Sequence, residues 1–267
     1  MDKKQPLVSV VTVVYNGAAC LERTIQSVLR QSYTNLEYII IDGGSKDGTV
    51  DIIKKYEQDL TYWISEPDKG LYYAMNKGIA QAKGEWINFM NAGDWFYDEH
   101  AVAGVFADRD VSGYDMIYGN TEKRKADSTE IYAPGNETNF WKQLMIHQST
   151  FSRTELNRKY QFDTRYKVSA DFNFLCDIFF NKHKTLHVET IISSFDMVGF
   201  SHNNRYRGFK EDIRIALRHK GNIKLTTKVS LFYVYIIVLG KCIDFSKRYF
   251  PKTFRKIKSI KDKDKGI

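Results

Sequence analysis

The chain has 267 residues, 43% of them hydrophobic and 14% aromatic, enough to pack one large or two small domains and too much for a disordered class. Cys20, Cys176 and Cys242 are scattered, odd in number and without a CxxC pair, which argues against a disulfide framework or a zinc site and favours the cytosol. The net charge of +8 is uneven: residues 208–267 carry 16 Lys and Arg against 5 Asp and Glu, leaving 24 against 27 for residues 1–207.

Leu7–Val14 is β-branched and almost continuously apolar, as expected of a strand buried on both faces of a parallel sheet. It leads into Tyr15-Asn16-Gly17 rather than a small-residue cleavage site, so no signal peptide is expected. Leu21, Ile25, Val28 and Leu29 recur at helical spacing, and Leu36–Ile41 gives a second buried strand ending at Asp42. The turn Asp42–Thr49 is glycine-rich, which lets backbone N–H groups approach a ligand, but it fits neither GxGxxG nor GxxxxGK[ST]. A helix over about Val50–Tyr56 and a third strand around Tyr62–Ser65 follow. Leu71, Ala74, Met75, Gly78, Ile79 and Ala82 then share one helix face, with Asn76 and Lys77 off it, free to reach a ligand or to lie on the surface.

Trp86–Met90 reads as a buried strand that stops at Asn91, two small residues before a carboxylate, Asp94. Ligands of open α/β sheets sit beyond the carboxyl ends of the strands, where Asp94 stands. It is either a hard oxygen ligand for Mg²⁺ or Mn²⁺ or a loop-capping carboxylate. The alternation of strands and helices over the first hundred residues specifies an α/β fold with a mainly parallel sheet.

Beyond this point Met116–Gly119 is a candidate strand, and polar Lys123–Asn139 reads as a loop or hairpin. Asp171 falls in the first turn of an amphipathic helix, a capping position. Leu186–Val188 and Ile191–Phe195 read as short strands. In the tail, Val229–Gly240 is strongly apolar but too short to span a bilayer, for which about 20 residues are needed. Cations before and after it suit either a helix lying in a membrane interface or an ordinary core helix with a solvated end.

Val10–Asn16, Thr24–Ser32, Asp42–Thr49, Asp68–Gly78, Asn91–Asp94, His147-Gln148 and Asp171 together make the chain resemble the glycosyltransferase family 2 enzymes, which have the Rossmann-like GT-A fold. It is most similar to bacterial members that build capsular, exopolysaccharide or O-antigen chains. The resemblance implies a GT-A domain over residues 1–207, with a nucleotide-sugar half to about residue 97 and an acceptor half after it. Residues 208–267 are expected to form a basic helical tail. It implies that Tyr15 stacks on the base, that Asp42 accepts a hydrogen bond from it with Asn16 close by, and that Asn76 and Lys77 lie near the ribose and diphosphate. Asp68 and Asn91 fall in the same donor-binding segments. Asp94 matches the last carboxylate of the metal motif, implying Mn²⁺ or Mg²⁺ as cofactor, and Asp171 matches the base of an inverting transfer. His147 would position the acceptor, support the metal, or serve as a buried structural histidine.

The implied partners are a nucleotide sugar, UDP-linked in preference to GDP-linked, a glycan or polyprenyl-diphosphate acceptor, and the inner face of the cytoplasmic membrane. Nucleic acid is not expected. A non-catalytic binding protein with a degenerate domain is the alternative. Two departures stand out: Asn91 and Gly93 replace aspartates that many relatives carry, and Tyr73 stands where an aspartate is common.

Overall fold

A computed structural model describes residues 5–197 except 126, 137, 138 and 140–144, then 205–219, 227, 228, 230 and 231. It divides into two compact units, residues 1–215 and 216–267. Apart from Ser230 and Leu231, the apolar run Val229–Gly240 lies outside the described residues, as do the cations after it.

The first unit is built on a nine-stranded sheet. Strands β1 (Val8–Val14), β2 (Leu36–Asp42), β3 (Tyr62–Ser65) and β4 (Trp86–Phe89) form its parallel part, in the order β3-β2-β1-β4. They are linked by helices α1 (Leu21–Leu29), α2 (Thr49–Lys55) and α3 (Leu71–Gln81). The unbroken apolar run of β1 resolves into two faces of period two. Val11 and Val13 pack with Met75 and Ile79 of α3, whereas Val8, Val10 and Val14 pack with Leu21, Ile25 and Val28 of α1. Each face is covered by a helical layer, so every residue of β1 is buried. Helix α3 approaches closely because Gly78 has no side chain: a Cβ there would stand 2.4 Å from Val11 Cγ1.

Beyond β4 the sheet is mixed, and several of its elements were not read from the sequence. The later elements are β5 (Trp95–Phe96), α4 (Ala103–Phe106), β6 (Met116–Arg124), β7 (Thr129–Tyr132), β8 (Thr150–Arg153), α5 (Thr154–Tyr160), α6 (Ala170–Phe180), β9 (Thr185–Asp196) and α7 (Arg205–Arg218). The sheet continues β4-β8-β6-β9-β5, with β7 paired to β6. β8 runs antiparallel to both β4 and β6, and β9 runs parallel to β6. The polar stretch after residue 123 is the hairpin β6–β7. The two short strands expected over 186–195 are one strand, β9, whose register against β6 shifts around Asn120.

Candidate active site

The carboxyl ends of β1, β2 and β4 lie side by side, which brings Tyr15, Asn16, Asp42 and the Asn91–Asp94 turn to one edge. Tyr15 is 68% exposed, an unusual state for a large ring beside a buried strand. Asn16 joins its loop to the glycine turn: its N–H donates to Ser45 Oγ at 2.7 Å and its Oδ1 accepts from the Lys46 N–H at 3.0 Å. A Cβ on Gly43 would stand 3.0 Å from Asp68 Oδ2 and 3.4 Å from the Tyr15 ring, so a bare backbone, an aromatic face and a carboxylate meet at one place.

Asp42 is wholly buried and its carboxylate is held by four donors of the chain. Oδ2 accepts from Gly44 N at 3.1 Å, Ser45 N at 2.9 Å and Ser65 Oγ at 2.6 Å, and Oδ1 accepts from Ser45 Oγ. Three donors meet Oδ2 and one meets Oδ1, so the acceptor position left for a base N–H is on Oδ1. Asn76 is likewise committed, with Nδ2 donating to Phe162 O at 2.8 Å and Oδ1 accepting from Phe162 N at 2.9 Å. Lys77 Nζ pairs with Glu66 at 2.7 Å.

Asp94 is 6% exposed. The 24th residue holds its turn to α1, because Thr24 Oγ1 donates to Asp94 O at 2.7 Å and accepts from Gly93 N at 3.1 Å. Its Oδ2 accepts from Gln148 Nε2 at 2.5 Å and its Oδ1 from the Asp196 N–H at 2.9 Å. Arg124 Nη2 lies 3.6 Å from Oδ1 and donates to Gly93 O at 2.7 Å, with its guanidinium on Trp95. Burial outweighs these partners and pushes the Asp94 carboxyl up to about 6. Gln148, Arg124 and the Asp196 amide were not identified from sequence as neighbours of Asp94. Only the His147-Gln148 pair carried a signal.

The turn His147–Ser149 is pinned beside β4 by Asn88, whose Nδ2 donates to Gln148 O at 3.0 Å and Thr150 O at 2.9 Å. That contact sets His147 Nε2 2.9 Å from Asn91 Nδ2 and His147 Nδ1 3.7 Å from Asp171 Oδ2. Asp171 begins α6. Its Oδ1 accepts from Phe172 N at 2.9 Å and lies 3.2 Å from Tyr72 Oη, which also lies 2.7 Å from Val168 O. Burial, with the Asp171 charge, holds the Tyr72 phenol well above its ordinary value, so it stays protonated as a donor. A cavity of about 30 Å³ adjoins His147 and Asp171, lined mainly by apolar residues such as Phe89, Met145 and Phe162.

Among the described residues no three or more His, Cys, Asp or Glu cluster as a metal site. The donors that do fit a hard divalent ion are oxygens. Asp94 keeps lone pairs beyond its two hydrogen bonds, and the buried amide oxygens Asn91 Oδ1 and Gln148 Oε1 have no partner. An ion held there would also supply the charge that a carboxyl pushed up by burial lacks.

The carboxyl ends of the parallel strands thus carry one buried carboxylate, Asp94, after β4, and a second, Asp171, stands in the first turn of α6. The sequence profile of glycosyl transferase family 2 matches residues 9–180, and the chain belongs to that family. It is 34% identical over 183 residues to an uncharacterized glycosyltransferase of Mycobacterium tuberculosis, covering 64% of this chain and 68% of that protein. A PGL/p-HBAD biosynthesis glycosyltransferase of Mycobacterium bovis is 29% identical over 202 residues, covering 73% and 78%. Among solved structures, S. aureus TarS in complex with UDP-GlcNAc superposes with a TM-score of 0.65 at 15% identity, over 85% of this chain and 72% of that one. A mannosyltransferase from Pyrobaculum calidifontis in complex with GDP-Man and Mn²⁺ gives 0.62 at 16% identity, over 96% and 84%. At these identities the structures establish the shared fold.

Proposed function

We propose that the chain is an inverting, metal-assisted glycosyltransferase that moves a sugar from a nucleotide donor, UDP-linked in preference to GDP-linked, to a hydroxyl of a glycan or lipid-linked acceptor in surface polysaccharide or glycolipid synthesis. The observation that carries this reading is the chain of contacts from the turn that bears Asp94 to Asp171: His147 stands 2.9 Å from Asn91 in that turn and 3.7 Å from Asp171 Oδ2. The exposed Tyr15 ring, the bare Gly43 backbone and Asp68 receive the base, and Asp42 shapes the turn beneath it. Asn16 fixes that turn, while Asn76 and Lys77 hold α3 against the loop at Phe162 and Glu66 on the ribose and diphosphate side.

Asp94, with the amide oxygens of Asn91 and Gln148, would hold Mn²⁺ or Mg²⁺. Once bound, the ion neutralises charge that gathers on the departing diphosphate. Asp171 Oδ2 takes the proton of the acceptor hydroxyl while that oxygen bonds to the anomeric carbon. The bond from that carbon to the diphosphate oxygen breaks, its electron pair leaves with the nucleoside diphosphate, and attack from the opposite side inverts the centre. The mycobacterial PGL/p-HBAD relative supports a glycolipid or surface-glycan acceptor, and the UDP-GlcNAc and GDP-Man complexes support a nucleotide-sugar donor. Attachment to the inner face of the membrane, through the basic residues after 207, would suit a lipid-linked acceptor.

The test is a panel of UDP- and GDP-sugars scored by metal-dependent thermal stabilisation and by nucleoside diphosphate release, with water as acceptor when no glycan is supplied. Asp171→Asn should leave donor binding intact and lower turnover ~10² to 10⁴-fold, the usual range for loss of a general base. Turnover within a few-fold of wild type would remove Asp171 from the role of base. Failure of every donor to bind or turn over would defeat the transferase reading itself.

A further inference from the structure

The Asn91 amide, just beyond the end of β4, is engaged in a specific contact. Its Nδ2 can only donate, so His147 Nε2, 2.9 Å away, must accept. A neutral imidazole carries one ring proton, and with Nε2 accepting, that proton sits on Nδ1. Nδ1 points at Asp171 Oδ2 across 3.7 Å. The reverse amide orientation would require the proton on Nε2 and would set the bare Nδ1 lone pair of a neutral ring against a carboxylate. The other Asp171 oxygen is already occupied by the Phe172 amide and Tyr72, so Oδ2 is the one left for a substrate proton.

From this geometry we infer that His147 is a positioning residue for Asp171, and that Asn91 sets it by fixing the imidazole tautomer that donates from Nδ1 to Oδ2. The inference rests on the proposed role of Asp171 as base. The 3.7 Å separation is about 0.8 Å longer than a good N–H···O bond, as is common where catalytic contacts tighten only with substrate bound. Asn91 follows β4 on the donor side of the crevice, while Asp171 opens α6 on the acceptor side. His147 therefore links the donor loop to the base, and the Asn91 amide anchors that link.

The experiment uses the full chain, with UDP-GlcNAc or the better donor of the panel, and reads nucleoside diphosphate release with a fixed acceptor. His147→Ala is expected to lower kcat on the order of 10- to 100-fold with donor KM nearly unchanged, the scale of a mispositioned catalytic group. Asparagine places its amide where Nδ1 stands and glutamine where Nε2 stands. His147→Asn should therefore restore part of kcat and His147→Gln should not, although both retain polarity and bulk. Asn91→Asp, which keeps an oxygen for the ion but has no N–H to give His147 Nε2, should lower kcat like His147→Ala, and the double variant should be no worse than either single.

In an Asp171→Asn background, His147→Ala should have no further effect. Rescue by glutamine instead of asparagine, a change confined to KM, or a full additional loss in the Asp171→Asn background would each overturn the proposal. An active Asp171→Asn enzyme would instead overturn the base assignment beneath it. Thermal unfolding of each variant separates loss of fold from loss of turnover.

Discussion

At the scale of single residues, Asp94 ties stability to function. Its folded carboxyl titrates at about 6 against 3.8 for an ordinary aspartate, so between those values the folded chain holds a proton that the unfolded chain has released. Stability owed to Asp94 is therefore greatest below the lower value and falls as pH rises to about 6, opposite in sign to a salt-bridged carboxylate. Above that, the ionised group costs on the order of 1–3 kcal/mol. Asp94→Asn removes this cost and keeps its neighbours. The new Oδ1 accepts from the Asp196 amide, and Gln148, by turning its own amide, offers the unpartnered Oε1 to the new Nδ2. In EDTA at pH 7.5 the variant should melt at or above wild type, with the difference shrinking as pH falls below about 6 and closing only below about 3.8. The further stabilisation that wild type gains from UDP with Mn²⁺ should be lost. A variant that melts well below wild type in EDTA would show that Arg124 and Gln148 already satisfy the charge and that no cation is awaited.

At the scale of elements, α7 fixes the start of α6 and with it Asp171. Glu211 is buried and accepts N–H bonds from Val168 at 2.9 Å, Lys167 at 3.0 Å and Ser169 at 3.2 Å, with Arg207 Nε at 3.0 Å. Burial alone would raise the Glu211 carboxyl, but these donors outweigh it and hold the group below its ordinary value. The stability it contributes is present above the unfolded value of 4.5 and lost as pH falls through the lower folded value. Glu211→Gln turns an N–H group toward donors and should cost about 1–3 kcal/mol. It should also lower kcat about tenfold by loosening Asp171, read by thermal unfolding alongside nucleoside diphosphate release. Lower stability with unchanged kcat would confine α7 to holding the fold. Sequence pattern revealed β1 to β4 and their helices because β1, β2 and β4 are buried almost throughout and read as apolar runs, while α1 and α3 each bury one apolar stripe. The later half follows other rules. Asn120–Arg124 is polar yet extended because it pairs with β7 and β9, the register shift in β9 breaks its alternation, and β5 has two residues. The same cause hid Gln148 as the partner of Asp94: the contact exists only because β8 pairs with β4 and Asn88 pins the preceding turn.

At the scale of the whole molecule, charge separates the two ends of the chain. Residues 1–207 carry 24 Lys and Arg against 27 Asp and Glu, while residues 208–267 carry 16 against 5. Among the described residues no helix is long and apolar enough to cross a membrane. Arg214, Arg218, Lys220, Lys224 and Lys228 precede the apolar run Val229–Gly240, and Lys241, Lys247, Arg248 and Lys252 follow it. Such a sequence favours adsorption on an anionic surface, where each cation near the head groups contributes about 1 kcal/mol and the apolar side chains anchor between them. The full-length protein is therefore expected to sediment with vesicles containing phosphatidylglycerol, weakly or not at all with phosphatidylcholine alone, and progressively less as salt shortens the Debye length. Glutamine at Lys241, Lys247, Arg248 and Lys252 together should weaken vesicle binding while leaving nucleotide-dependent thermal stabilisation unchanged. A chain ending near Thr226 should keep that stabilisation and lose the vesicles. If the shortened chain sediments as well as the full-length protein, or if it is insoluble, the apolar run serves the core and the membrane reading fails.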